Sequence, residues 1–377
     1  MRTRISLEDL RAAFEARFGG PIGNVRAHGT GHIHDTFVLR WAGRELLVQR
    51  FNTGVFRDPE AVMRNIERVT EHLRAKLAAD GVSDLARRVL RVVPAPDGAP
   101  CFRAGSEPDA PVFRAFEFIA GTVAYDNVQT PEQPFEAGRA FGSFAASLAD
   151  LPAPPLIETI PKFHDTEARL ASLRAAFEAD PHGRAASLQA ERDLVEAHTE
   201  LAGYCARLHA SGDLQLQVTH NDAKLSNLLF DAAGGEALCV VDLDTVMPGF
   251  PAYDFGDLVR TTACEVAEDA RDPSRLVVHL DYIEALARGY LAPRTARGEV
   301  IREADRAALA SGPSIFCYEL GMRFLTDHLL GDTYFPIARP DQNLDRARVQ
   351  FALLEALGRR EPAIRAAVQA ASAPPRS

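Results

Sequence analysis

The sequence predicts an α+β chain in two lobes, a small β-rich N-lobe and a larger, mainly helical C-lobe. Three observations carry this expectation. Between residues 25 and 119, short apolar runs are punctuated by glycine, proline and aspartate, as strands and turns require. From residue 133 onward, apolar residues recur mostly at helical spacing. One stretch inside the helical part, residues 218–244, breaks that rhythm: it reads strand, polar loop, short strand, turn, strand, carboxylate. A chain of 377 residues with 46% apolar content is long enough for a large core divided between two lobes.

The elements follow in order. Residues 6–18 form an amphipathic helix, with Ser6 as cap and Leu7, Leu10, Phe14 and Phe18 on one face. Gly19-Gly20-Pro21 stops it. Gly29 and Gly31 lie between two strands in residues 25–40, where glycine lets backbone N–H groups approach a phosphate. A hairpin turning at Ala42-Gly43 follows, and its second strand ends in Arg50. Asp58-Pro59 opens a helix with Val62, Ile66, Val69, Leu73 and Leu77 on its apolar face. Residues 85–93 and 112–119 read as strands, and Ala120-Gly121-Thr122 marks the join between lobes of residues 1–119 and 120–377. Helices are expected over residues 133–150, 191–209, 276–291 and 301–310, with a proline-rich extended segment at 152–161. In residues 318–335, Leu320, Phe324 and His328 share a helical face, and Arg323 and Asp327 stand as an i,i+4 pair. Leu344, Ala347, Phe351 and Leu354 give a last helix.

Composition excludes several classes. A formal net charge of −10 argues against a nucleic-acid or anionic-membrane partner. Five dispersed cysteines with no C-x-x-C suit a reducing compartment. No run of eighteen apolar residues exists, and the segment MRTRISLEDL lacks an apolar signal core, so a soluble cytoplasmic protein is expected.

The chemistry concentrates in residues 218–244. The loop His220-Asn221-Asp222-Ala223-Lys224-Leu225-Ser226-Asn227 fits H-x-D-x-x-x-x-N, and Asp242 ends the apolar run that follows. Phosphoryl transfer from ATP needs such parts. One carboxylate receives the proton of the attacking hydroxyl; an amide oxygen and a second carboxylate hold Mg²⁺ against the phosphates. On this pattern Asp222 is the base, and Asn227 and Asp242 are the Mg²⁺ ligands. The triplet Asp254-Phe255-Gly256 follows Pro248, Gly249 and Pro251 rather than a buried strand. Asp254 or Asp257 is therefore read as a helix cap or a buried structural carboxylate.

Two other readings stand beside this one. His32-Ile33-His34-Asp35 has the H-x-H-D form of a transition-metal site, which would suit a metal-dependent hydrolase, although no second cluster of His or Cys at ligand spacing accompanies it. A catalytically silent nucleotide-binding protein is the other; intact Asp222, Asn227 and Asp242 weigh against it.

His220-x-Asp222-x4-Asn227 with Val241-Asp242 resembles the aminoglycoside phosphotransferase and choline kinase branch of the protein-kinase-like fold. Further phrases resemble the N-acetylhexosamine 1-kinases: Gly31-His32-Ile33-x-Asp35-Thr36-Phe37, Gln49-Arg50-Phe51-Asn52, Glu158-Thr159-Ile160-Pro161-x-Phe163-His164-Asp165-Thr166, Asp242-Leu243-Asp244-Thr245 and the run from Glu319 to Phe335. The resemblance implies a bilobal fold whose hinge backbone binds adenine. It implies nucleotide contacts at Gly29, Gly31 and Arg50, with Glu67, or else Glu71, as the partner of Arg50. Lys224 would touch the γ-phosphate, and His32, Arg323 and Tyr334 would contact a sugar. His34 stands where relatives carry Asn, a departure that bears on substrate range. The implied reaction is transfer from ATP to the C1 hydroxyl of a hexose or N-acetylhexosamine. Kinases of the same fold acting on an aminoglycoside, choline, homoserine or maltose are the alternatives.

Overall fold

The computed structural model describes residues 5–29, 33–107 and 109–373. Helix α1 (Leu7–Phe18) is capped by the Ser6 hydroxyl, which accepts the Asp9 N–H. Strands β1 (Val25–Ala27), β2 (Asp35–Trp41) and β3 (Arg44–Arg50) form an antiparallel meander, with helix α2 (Pro59–Ala79) and helix α3 (Leu85–Arg88) next in the chain. Strands β4 (Phe102–Arg103) and β5 (Val112–Glu117) complete a five-stranded sheet in the order β1-β2-β3-β5-β4.

Alternation decides what each face of this sheet meets. Leu46 and Val48 of β3 and Phe113 and Ala115 of β5 pack with Leu10 and Phe14 of α1. Val112 and Phe116 of β5 point the other way, into a cluster with Val62, Ile66 and Val69 of α2. Asp58 caps α2 by accepting the Ala61 N–H, with Pro59 at its first turn, as the Asp-Pro pair requires.

After the short strand β6 (Thr122–Val123) come helices α4 (Gln133–Leu148), α5 (Thr166–Ala179), α6 (Gln189–Ala197) and α7 (Tyr204–Ala210). Strands β7 (Gln217–Thr219), β8 (Leu228–Asp231), β9 (Ala237–Val240) and β10 (Met247–Gly249) frame the polar loop. β7 pairs with β10, while β6, β8 and β9 make a small sheet. Helices α8 (Pro251–Thr262), α9 (Leu280–Ala296), α10 (Glu303–Leu329), α11 (Gln342–Gly358) and α12 (Glu361–Ala371) build the body of this half. Its core joins Phe141 of α4, Phe255 of α8, Tyr290 of α9, Met322 of α10 and Phe351 of α11. α8 and α10 approach through glycine: a Cβ on Gly312 would sit 2.3 Å from the Ala252 carbonyl oxygen, and one on Gly256 would sit 2.5 Å from that of Gly312. No helix among the described residues is long and apolar enough to cross a membrane.

The architecture is thus the expected α+β, bilobal one, and the differences are local. The strand expected over residues 85–93 is instead α3 followed by an extended stretch with one bridge, Val92 to Phe116. A short apolar run does not distinguish strand from buried coil, and here Val89 and Leu90 are held by the α2 cluster rather than by a ladder. The helix expected over 191–209 is two, ending at Ala197 and resuming at Tyr204 after Gly203, whose φ of 65° lies in the left-handed region and whose N–H donates to Thr166 Oγ1. The helix expected over 301–310 runs on to Leu329, through Pro313, and carries Glu319 and Arg323 on the same rod.

Candidate active site

Asn221, immediately before Asp222, has φ 62°, a left-handed conformation that a non-glycine residue keeps only when its surroundings impose it. Those surroundings are present. Asp254, in the first turn of α8, accepts the N–H groups of His220 (2.8 Å) and Asn221 (2.7 Å). The Asn221 amide donates to the Thr245 carbonyl (3.0 Å), and Thr245 Oγ1 donates to the His220 carbonyl (2.7 Å). Asp254 is therefore a buried structural carboxylate, and Asp257, as deeply buried, accepts from Arg260 at 2.7 Å. His220 turns inward and lies within hydrogen-bond distance of the Val241 carbonyl (2.9 Å), next to Asp242.

Asp222 Oδ2 accepts from Lys224 Nζ (2.8 Å) and from the Asn227 amide (3.0 Å). Burial pushes the Asp222 carboxyl pKa up, but the Lys224 charge and hydrogen bond, with His220 and the Asn227 amide, together outweigh it and the net shift is downward. The same ion pair outweighs burial at Lys224 and raises its pKa. Asn227 spends its N–H groups on Asp222, which leaves the amide oxygen for a ligand. Asp242 also has a positive φ, 61°. Burial, then the neighbouring charges of Asp244 and Asp222, push its carboxyl up to about 7. The structure thus brings Asp222, Lys224, Asn227 and Asp242 together at one place.

Behind Asp242 lies a contact that composition and motif did not reveal. Arg114, on β5 of the first sheet, donates two 2.6 Å hydrogen bonds to the two oxygens of Asp244. Both side chains are only 2% exposed. Arg114 Nε donates to Gln49 on β3 (2.9 Å), and the guanidinium lies over the rings of Phe51 and Phe116. His34 joins the group: its Nδ1 accepts the Asn52 N–H (3.1 Å), and its Nε2 sits 3.4 Å from Asp244 Oδ1. These contacts hold Asp244 strongly ionised, with its pKa well below the usual carboxylate range despite burial. The sequence signal was a cation inside the apolar strand Val112-Phe113-Arg114-Ala115-Phe116. His34, considered for a metal site or for substrate range, is instead a buried member of this cross-lobe network.

The nucleotide-side expectations fare unevenly. Gly29 has φ 72°, in keeping with a tight loop; Gly31 and His32 lie outside the described residues. Arg50 pairs with Asp35, its register partner on β2, at 2.5 Å and not with Glu67. Glu67 lies on α2, where burial and the charge of Glu71 raise its pKa. The pairing expected between Arg50 and α2 is corrected on this point: the antiparallel rung puts a carboxylate closer than the helix does.

Joined to the polar loop through Glu319 and His164, α10 presents Arg323, whose guanidinium lies 5.6 Å from the ring centres of both Phe163 and Phe335. Arg323 does not pair with Asp327; its carboxylate partner is Glu319, at 3.9 Å. Asp327 is used otherwise, accepting the backbone N–H groups of Thr333, Tyr334 and Phe335 at 2.8–2.9 Å and the Asn343 amide. That cradle fixes the loop bearing Tyr334, which stays 61% exposed. Arg323 and Tyr334 thus share one wall through Phe335, which lies edge-on to Tyr334. Arg169 of α5 belongs to it too: burial, then the nearby charge of Arg323, lower its pKa.

Fold and site together define a bilobal kinase-like phosphotransferase. The match to a family model makes the assignment specific: residues 24–299 match the phosphotransferase enzyme family that includes the aminoglycoside phosphotransferases, and the chain belongs to that family. The fold is shared with a microcompartment-associated aminopropanol kinase (18% identity, 90% of this chain and 93% of that one, TM-score 0.53). It is shared as well with a choline kinase from Cryptosporidium parvum (14% identity, 94% and 96%, TM-score 0.53). A spectinomycin phosphotransferase in complex with ADP and spectinomycin aligns over 93% and 99% at 13% identity, with a TM-score of 0.51. The protein is a small-molecule phosphotransferase, an enzyme that transfers phosphate to a hydroxyl group.

Proposed function

We propose that this enzyme transfers the γ-phosphoryl group of ATP to the C1 hydroxyl of a hexose or N-acetylhexosamine. The observation that carries the choice of acceptor is the charge of the wall beside Asp222. Arg323 and Arg169 stand there; Glu319 is already engaged by His164, and Asp165 accepts the Ala168 N–H as the cap of α5. An ammonium-bearing acceptor would meet two guanidinium groups. A polyol, uncharged and rich in acceptor oxygens, suits guanidinium donors and an aromatic edge such as Tyr334.

On this reading residues 1–119 and 120–377 are the two lobes, and adenine lies at the backbone joining them near Gly121. Gly29 and Arg50 line the triphosphate side, with Glu67 on the helix behind, and Arg323 and Tyr334 face the sugar. Asn227 and Asp242 would hold Mg²⁺, which supplies charge neutralisation along the triphosphate. The donor set fits: an amide oxygen and a carboxylate are hard oxygen ligands, and burial with two neighbouring carboxylates makes Asp242 a site that favours a cation. Asp222 accepts the proton of the C1 hydroxyl as its oxygen bonds to the γ-phosphorus and the bond to ADP breaks. Lys224 is poised to follow the charge from Asp222 to the γ-phosphate.

The test is ADP release with Mg-ATP against GlcNAc, GalNAc, glucose, galactose, mannose, maltose, homoserine, choline and kanamycin, with phosphorus NMR of the product. A sugar-dependent signal with phosphate on C1 is the expected result. Turnover confined to an amine or amino-acid acceptor would discard the sugar and keep the Asp222 chemistry.

A further inference from the structure

The His164 side chain, 6% exposed, is buried between the wall and the loop. Its Nε2 is 3.0 Å from the backbone carbonyl oxygen of Asn221, a group that can only accept. Its Nδ1 is 3.0 and 3.2 Å from the two oxygens of Glu319 on α10. Both ring nitrogens thus face acceptors, and an imidazole so placed satisfies both only with a proton on each. The ring has no freedom to do otherwise. It stacks on Tyr253 of α8 at 4.7 Å, packs near Phe316 of α10, and its own carbonyl accepts the Tyr253 hydroxyl at 3.1 Å.

We propose that His164 is a positioning residue that ties the Asn221–Asp222 peptide to the acceptor wall through Glu319 and Arg323. The proposal rests on the phosphotransferase reading of Asp222 given above. The chain of contacts is continuous. Arg323, over the rings of Phe163 and Phe335, is paired with Glu319; Glu319 is paired with His164; His164 donates to the carbonyl of the residue whose left-handed backbone aims the base. A sugar that draws Arg323 toward itself therefore acts on the peptide bearing Asp222. Asp254 holds the two N–H groups of that backbone, and His164 holds the carbonyl, so the loop is gripped from opposite sides.

The charges facing the ring agree with this assignment. Glu319 and Arg323 come from α10 and Tyr253 and Asp254 from α8, while Arg169 of α5 acts on Glu319 and Asp165, the cap of α5, acts on Tyr253. At His164 burial lowers the pKa, but the Glu319 carboxylate and the bonds to Glu319 and Asn221 outweigh it, for a net rise. At Glu319 burial raises the pKa, and His164, Arg323 and Arg169 outweigh it, for a net fall. The two partners move in the directions of an ion pair.

The experiment uses the full chain in two arms. In the first, ¹⁵N-edited NMR of the imidazoles, with His164 identified by its loss in His164→Gln, reports protonation at pH 7.5. Two protonated nitrogens are expected, together with shifted Asn221 and Asp222 amides in the variant. A singly protonated ring overturns the proposal, and this arm needs no turnover. In the second, His164→Gln, which keeps a donor but no charge, and Glu319→Gln are assayed with the best acceptor. We expect kcat to fall about 10- to 100-fold, as a base misplaced by a fraction of an ångström would cause, and the wild type to lose kcat on the alkaline side as His164 gives up its second proton, a loss that His164→Gln does not show. The KM for ATP should stay within about twofold. A lower melting temperature with unchanged kcat per nucleotide-binding site would mean a structural role only and would also overturn it. If no acceptor turns over, the proposed function fails while the NMR arm still decides the state of His164.

Discussion

At the scale of single residues, Asp222 is distinguished by what surrounds it. It lies beside an ammonium and an amide, on a residue whose predecessor is held in a strained conformation by Asp254. Replacing Asp222 by Asn should cost about 10²- to 10⁴-fold in kcat, the range of a lost general base, with the melting temperature nearly unchanged; ADP release checks the first and a thermal melt the second. Asp327 makes a different prediction. Its carboxylate gathers three backbone N–H groups of the Tyr334 loop, so Asp327→Ala should destabilise by about 1–3 kcal/mol and raise the acceptor KM while leaving the KM for ATP alone. The His164–Glu319 pair should also shape stability against pH. His164 has a raised folded pKa, so its contribution is fully present below its unfolded value and is lost as pH rises through the folded value. Glu319 has a lowered folded pKa, so its contribution is present above its unfolded value and is lost as pH falls through the folded one. Urea midpoints of the wild type and His164→Gln should therefore converge on the alkaline side.

At the scale of elements, two contacts position the site. One joins β5 to the segment after β9 through Arg114 and Asp244. Removing one partner leaves the other charged and buried, so Arg114→Met or Asp244→Asn should each cost about 3–5 kcal/mol. Arg114→Met with Asp244→Leu should recover part of that, a coupling that a double-mutant cycle in urea would read. The same single variants should weaken nucleotide binding, because Asp244 stands two residues from Asp242. The other contact is the glycine-mediated approach of α8 to α10, the helices that carry Asp254 and Glu319. Here Gly312→Ala must push a backbone carbonyl aside.

At the scale of the whole molecule, the site is assembled from both lobes, and ligand binding should register as a change in global stability. Saturating Mg-ADP at about 100 times its Kd should add about 2.7 kcal/mol to unfolding. The gain from Mg²⁺ over ADP alone should vanish in Asp242→Asn, which thermal melts with and without EDTA would show. Retention of that gain would move the metal away from Asp242.

How much of this was legible in the sequence depends on distance along the chain. The bilobal α+β class, the capped starts of α1 and α2, and the loop with Asp222, Lys224 and Asn227 could be read directly, because each is dictated within a few neighbouring residues. Caps and turns follow from local hydrogen bonding, and phosphoryl chemistry demands fixed residue types at fixed spacing in one loop. What only the tertiary structure decided is which charges share a space. Arg50 looked toward α2 and found Asp35; Arg323 looked toward Asp327 and found Glu319, whose true partner is His164; Arg114 found Asp244 across the lobes. Ion pairs form wherever packing brings carboxylate and cation together out of water, and sequence separation carries no information about that. Local rules wrote the polar loop, and long-range burial chose the partners that hold it.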